Sequence, residues 1–415
     1  MVFVPTRHNE SALAAAFAPL RYPVFRVLWL AAILAAMGSW AQAVGAAWLM
    51  LELTERTDLV AFVQAAASAP VLLLSFLAGT LADLYERRLM QIRAQFWVIA
   101  GAACLAALCL AGAATPPFVL LLTFVAGTGA ALRAPAWQAS IRDIVPDRDV
   151  AAAVTLSSIG FNFARIVGPA IGGLIVALAD PTGAFAFNVV VSMVFLLALW
   201  RISYETPTLS PDRKNNIRSA LRTGVEYVIT NRQMRLILPR AAAAGIPASA
   251  ILALLPILVS QRFAGKAEIY GLFLCFFGVG AVASTFVLVH WRKRYTPEAL
   301  LSGASLLLAG SFLCLATSTS IPVTLLSLLV GGFSWVIVFT TFNTAVQFCS
   351  DREYRGRALS AYMTCAFGGL MVGSLIWGSL TEHFSLGVAF SAAGLMLACS
   401  VLMRLSGRLP DNKTD

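Results

Sequence analysis

The chain has 415 residues, 59% of them hydrophobic, and only 12% are Asp, Glu, Lys or Arg, against roughly a quarter in a soluble globular protein. So little charge cannot clothe a soluble surface, and the basic excess, net +10, sits at the ends of apolar runs, where it reads as membrane sidedness and excludes a nucleic-acid footprint. Seven cysteines without a CxxC pair and three histidines, His8, His290 and His383, near proposed boundaries give neither a metal cluster nor a disulfide framework, so no metal and no cofactor is expected.

From the N-terminus, residues 1–26 are too long and too mixed in charge for a signal peptide. Ala41-Gln42-Ala43 resembles a cleavage site, yet the apolar run continues to Met50, which predicts an uncleaved first helix. Apolar runs of the length needed to cross about 30 Å of hydrocarbon then predict spans at 27–50, 59–81, 94–114, 118–136, 151–178, 182–200, 236–260, 270–289, 299–318, 321–348, 359–380 and 385–403. Thr115-Pro116-Pro117, Asp180-Pro181, Thr319-Ser320 and the charged stretch from Asp351 to Arg357 separate crowded neighbours.

The thirty Lys and Arg residues test this count. With a cytoplasmic N-terminus, 24 fall on the cytoplasmic side, only Arg56, Arg262 and Lys266 on the other, and Arg133, Arg165 and Arg240 within spans. Both termini are then cytoplasmic. The longest polar connection divides the chain into a bundle at 1–200, a cytoplasmic basic linker at 201–235 and a bundle with tail at 236–415. Within the linker, Ile217 to Ile229 reads either as an interfacial amphipathic helix or as a solvated tether. A weak repeat crosses the divide: Val145-Pro146-Asp147-Arg148-Asp149 corresponds to Cys349-Ser350-Asp351-Arg352-Glu353, and Gly168 and Gly173 to Gly373 and Gly378. The expected fold is an all-α integral membrane protein, twelve transmembrane helices in two pseudo-symmetric six-helix bundles around a central cavity.

Between the second and third spans lies Gly79-Thr80-Leu81-Ala82-Asp83-Leu84-Tyr85-Glu86-Arg87-Arg88. It resembles the loop signature of the major facilitator superfamily, a Gly followed by Asp and then paired basic residues, with Leu84 and Glu86 departing from that pattern. The resemblance implies that Asp83 pairs with a helix N-terminus or an arginine, and that Arg87 and Arg88 anchor the loop in one alternating-access state. The sequence looks closest to the bacterial branch that includes the enterobactin exporter, on Phe25-Arg26-Val27-Leu28-Trp29, Ala47-Trp48-Leu49-Met50, Arg133-Ala134-Pro135-Ala136 and the stretch from Ala164 to Gly173.

Gly168, Pro169, Gly172 and Gly173 make a small-residue face with a local backbone perturbation in span five. It reads as tight packing or as a conformational switch, and the superfamily's exporter-associated Gly-Pro signature favours the switch. Ser158, Asn162 and Arg165 share one face of the same span. An arginine deep in a span is costly unless it reaches water or a partner, so it either lines a cavity or snorkels to the cytoplasmic face. Arg133 resembles the superfamily's fourth-helix coupling arginine, although its place near the end of span four also permits snorkelling. Arg240 reads as a boundary anchor. Further polar stripes are Ser39/Gln42, Gln64/Ser68/Ser75 and Thr340/Asn343/Thr344/Gln347, and their convergence would favour a passage.

No carboxylate lies in the middle of a span. A mid-membrane acidic proton carrier is therefore absent, and coupling would use a boundary carboxylate. No Walker-type phosphate loop is present, so this is neither an ATPase nor, lacking any activated nucleophile, an enzyme. The expected function is secondary active export of a small amphipathic organic compound by alternating access. Protons and membrane lipids are the expected partners, and the buried arginines favour an anionic or siderophore-like solute. An importer or facilitator of the same fold, or a non-transporting receptor, is the alternative. The expected location is a bacterial-type inner membrane, and the oligomeric state is not encoded.

Overall fold

A computed structural model describes residues 17–202, 226–351, 354–407 and 409. Hydrocarbon offers no partner for backbone N–H and C=O groups, so a spanning chain must satisfy them within itself. Twelve long helices do so among the described residues. They are α1 (Pro23–Leu53), α2 (Thr57–Leu84), α3 (Arg87–Leu110) and α4 (Pro116–Ile144). The segment Asp147–Arg201 then breaks at Ala179 and Asp180 into α5 (147–178) and α6 (181–201). The second half comprises α7 (Arg232–Arg262), α8 (Ala267–Arg294), α9 (Pro297–Thr317), α10 (Ile321–Cys349), α11 (Arg355–His383) and α12 (Leu386–Ser400).

Local chemistry sets the boundaries. Proline occupies the first turn of α1, α4, α9 and α10, where its missing N–H costs nothing. Asn231, Thr296 and Ser385 accept backbone N–H groups at the starts of α7, α9 and α12, as N-cap side chains do. The α5/α6 break places Asp180 at φ 56°, ψ 175°, a conformation costly for any residue with a side chain. It sits where Pro181 already bars the helical region for the residue before it.

Most helices run past the expected spans toward the basic face, because hydrogen bonding continues into the interface after hydropathy has fallen, whereas α3 ends at Leu110, four residues before its expected end, and α12 (Leu386–Ser400) stays inside its expected 385–403. Two expectations change as a result. Arg133 is not near the end of its helix, since α4 continues to Ile144, and it does not snorkel, because it is buried at 7% exposure and bonds Gln95 of α3 inside its own half. Arg240 is not a boundary anchor but half of a buried ion pair with Glu298, at 2.6 Å. Most of the linker, with the amphipathic stretch expected from Ile217, lies outside the described residues, as do Arg352 and Glu353.

Two halves, α1–α6 and α7–α12, meet mainly along α2 with α11 and along α5 with α8. The glycine repeat carries this pseudo-twofold relation. Gly168 on α5 packs on Met37 and Trp40 of α1, and its counterpart Gly373 on α11 packs on Ile246 and Ser249 of α7. Gly173 meets Gly271 of α8 across the halves, and its counterpart Gly378 meets Asp58 and Ala61 of α2. One end of the bundle carries Arg87, Arg88, Arg142, Arg201, Arg232 and Arg292 to Arg294 and is called the basic face. The far face carries Arg56, Arg262 and Lys266.

Candidate functional site

The halves close against each other at the far face. Gly173 and Gly271 bring the backbones of α5 and α8 into contact: a Cβ on Gly271 would lie 3.0 Å from the carbonyl carbon of Gly173. At the pseudo-equivalent place, a Cβ on Gly378 would lie 2.6 Å from that of Ala61. Small residues permit this approach, which gains dispersion over many atoms where lipid offers no hydrophobic drive. Trp48 stacks on Tyr270 with ring centroids 5.6 Å apart. The backbone N–H and hydroxyl of Thr57 donate to the Glu382 carboxylate at 2.7 and 2.8 Å, so an acid on α11 caps the positive end of α2 in the other half. Because Glu382 is exposed, water screens this link. Glu382→Ala is expected to raise the far-face accessibility of a cysteine placed at Thr57 by roughly two- to fivefold, read as the rate of labelling by an impermeant maleimide.

Polar stripes lead inward from the basic face. On α5, Thr155 and Ser158 are exposed, and Asn162 and Arg165 farther along are half-buried. On α10, Gln347 is exposed, and Asn343 and Thr340 farther along are half-buried. Gln347 donates to Asn343 at 2.6 Å, and Arg292 of α8 reaches the Thr344 hydroxyl at 2.8 Å. Side chains of this kind are costly against lipid and cheap against water, and their exposure falls from the basic face inward. Farther in, Arg165, hydrogen-bonded to Asn162 at 2.9 Å, lies 5.5 Å from the ring centroid of Trp335 on α10. That contact joins the two halves. Tyr362 of α11 donates to the Phe339 carbonyl at 2.8 Å and is near enough to interact electrostatically with Arg165.

Other residues expected in the passage lie elsewhere. Gln42 is buried within the first half and accepts from Asn188 of α6 at 2.5 Å. Ser192 continues from Asn188 at 3.1 Å, Gln95 of α3 donates to the Ser192 carbonyl at 3.4 Å, and Arg133 donates to Gln95 at 2.8 Å beneath the Phe195 ring. This chain of amides links α1, α6, α3 and α4 from inside, so Gln42 and Arg133 lie within the first half, away from the stripes of α5 and α10. Gln64 is half-buried and bonds Ser68 on its own helix at 3.3 Å. Gly168 and Gly172 pack on α1, a Cβ at Gly172 lying 2.6 Å from the Ala41 Cα. Of the span-five glycines, Gly173 is the one that meets the other half. Pro169 is buried and leaves α5 helical; the non-helical residues are Ala179 and Asp180.

In the loop motif, Gly79 and Asp83 lie in the last turns of α2. Arg87 forms an ion pair with Asp143 at the end of α4, at 2.7 Å. Arg88 donates to the carbonyls of Leu199 and Trp200 at 2.8 and 3.0 Å, closing the end of α6. Sequence reasoning missed Gln95, Asn188, Ser192, Glu298 and Tyr362. Each is a polar residue in an apolar run or at its edge, and apart from the Ser192 hydroxyl, which bonds Asn188 one turn away, the partner is distant in sequence. The only advance signal was that a buried amide or acid must find a partner.

The architecture agrees with that of known transporters. The D-xylose–proton symporter superposes with a TM-score of 0.73 at 16% identity, over 95% of this chain and 99% of that one. The xylose transporter XylE from E. coli, in its inward-open conformation, superposes with a TM-score of 0.71 at 13% identity, over 94% and 98%. In sequence, the chain is 25% identical to the staphyloferrin A transporter of Staphylococcus aureus, over 88% of this chain and 92% of the relative. It is 26% identical to the multidrug efflux pump Tap of Mycobacterium tuberculosis, over 94% of each. With this fold and these relatives, the chain is a secondary-active transporter of small organic solutes, not an enzyme. Residues 14–415 match the family MFS_3, described as transmembrane secretion effector, and the chain belongs to that family within the major facilitator superfamily.

Proposed function

We propose that the protein exports a small amphipathic organic solute from the cytoplasm by alternating access, driven by proton antiport. What supports this reading is the pair of polar stripes on α5 and α10, exposed toward the basic face, and the tight glycine contacts at the far face; we read the stripes as a funnel open at the basic face and closed at the far face. Basic loops are retained in the cytoplasm, so the basic face is cytoplasmic, with both termini, and this conformation loads from inside. Residues 1–200 and 236–415 then act as the two moving bodies and 201–235 as their cytoplasmic tether. The Gly79 to Arg88 loop braces the basic face, and Gly168, Pro169, Gly172 and Gly173 form the surface along which α5 moves. The family description and the efflux relative support the outward direction. The staphyloferrin A relative, together with the motifs shared with the enterobactin-exporter branch, supports a siderophore-like cargo.

Uptake is the second reading, favoured by the likeness of fold to a D-xylose–proton symporter, and an opening at the cytoplasmic face is equally a step of import. Proteoliposomes of known protein orientation separate the two. Export predicts that an imposed proton gradient drives solute from the basic-face compartment to the far-face compartment against its own gradient. Co-directional movement of solute and proton toward the basic-face compartment would establish import.

A further inference from the structure

The narrow end of the funnel is rich in donors and poor in acceptors. The Arg165 guanidinium has five N–H donors, of which one has a hydrogen-bond partner among the described residues, the Asn162 side-chain oxygen at 2.9 Å. The ion pairs among the described residues join Arg56 to Asp58, Arg87 to Asp143, Arg148 to Asp149 and Arg240 to Glu298; none involves Arg165. Trp335, against whose ring the guanidinium lies, is buried, and its indole N–H has no partner among the described residues. The Tyr362 hydroxyl spends its proton on the Phe339 carbonyl. A guanidinium in the middle of a membrane bundle calls for a compensating charge or for water, and the protein supplies one amide oxygen.

We infer that Arg165, with Trp335 beside it, is the seat for a planar anionic group of the solute, a carboxylate or equivalent oxyanion carried on an aromatic or other flat apolar body. The guanidinium fork matches such a group in two parallel hydrogen bonds, and Trp335 with its neighbour Phe339, ring centroids 4.5 Å apart and planes tilted by 47°, gives an aromatic wall for the rest. Arg165 belongs to α5 in one half, and Trp335 and Tyr362 to α10 and α11 in the other. A bound anion therefore competes with the Trp335 face for the guanidinium and changes the contact that joins the halves. This assignment rests on the reading of the funnel as a solute path and adds to it the charge and shape of the cargo.

The test uses the full chain in lipid nanodiscs and three probes that share one ring system: 2-naphthoate, 2-naphthol and 2-naphthylmethylammonium, with calorimetric binding. The wild type should bind the anion about tenfold or more tightly than the neutral and cationic probes. Arg165→Gln should bring the anion-to-neutral ratio close to one. Arg165→Lys should retain a reduced preference, and Trp335→Leu should weaken all three probes together. Retention of the wild-type anion preference in Arg165→Gln would overturn the assignment, as would a wild type that binds no probe or prefers the cation. Should Arg165→Gln misfold, the other two variants decide: an anion preference undiminished in Arg165→Lys, or probe binding undiminished in Trp335→Leu, contradicts the seat. Solute flux in proteoliposomes is scored separately: flux without an anion preference rejects this seat and leaves the transport reading standing, whereas absent flux rejects the transport reading itself.

Discussion

Glu298→Gln is expected to destabilise the protein by about 3–5 kcal/mol, because it leaves the buried Arg240 guanidinium without its counter-charge. Arg240 and Glu298 are 6% and 9% exposed and bond in parallel at 2.6 and 3.0 Å. The remaining capacity of the pair is met by the end of the chain: Arg240 donates to the Gly407 carbonyl at 3.1 Å and the Leu409 N–H donates to Glu298 at 2.9 Å. Removing either charge strands the other and releases this segment. Thermal unfolding of the purified protein in nanodiscs checks the value. Replacing both partners with apolar residues, Arg240→Met with Glu298→Leu, should recover most of the loss, since two buried charges together cost nearly what they gain. A double variant as unstable as the single one would show that the tail contacts, not the charge pair, dominate.

Gly173→Leu is expected to cut transport by roughly 5- to 150-fold while leaving membrane insertion intact. The new side chain would enter the Gly271 backbone across the halves, and overpacking of this kind costs about 1–3 kcal/mol. The cost falls on the closed far face alone and so shifts the population away from it. Labelling of a cysteine at Thr57 from the far-face side should rise in the same variant. Gly172→Leu provides the contrast: its crowding is against Ala41 within one half, so it should lower stability without raising far-face labelling.

Hydropathy and charge made the twelve crossings and the two halves readable, because crossing oil forces long apolar helices and basic loops betray their side. They understated helix length. The α4 helix was expected to stop at residue 136 and runs to Ile144, since hydropathy reports the oil and hydrogen bonding does not stop at its edge. That error misplaced Arg133. The Gly168/Gly173 and Gly373/Gly378 repeat was visible in sequence, and its meaning came from contacts: one member of each pair packs inside its half and the other crosses. What sequence could not rank was which polar stripes face the funnel. Arg165 and Arg133 are similar residues in similar runs, yet one meets an indole from the other half and the other a glutamine from its own. Only the packing of helices distant in the chain distinguishes them.

Paired cysteine accessibility tests the central claim most directly. In a cysteine-free background, single cysteines at Ser158 and Gln347 are labelled in sealed vesicles with an impermeant maleimide applied from each side in turn. The structure predicts rapid labelling of both from the basic-face side, slow labelling from the far side, and protection by transported solute. Labelling of both positions only after the membrane is dissolved, or equally from the two sides, would contradict a polar hollow that opens at one face at a time.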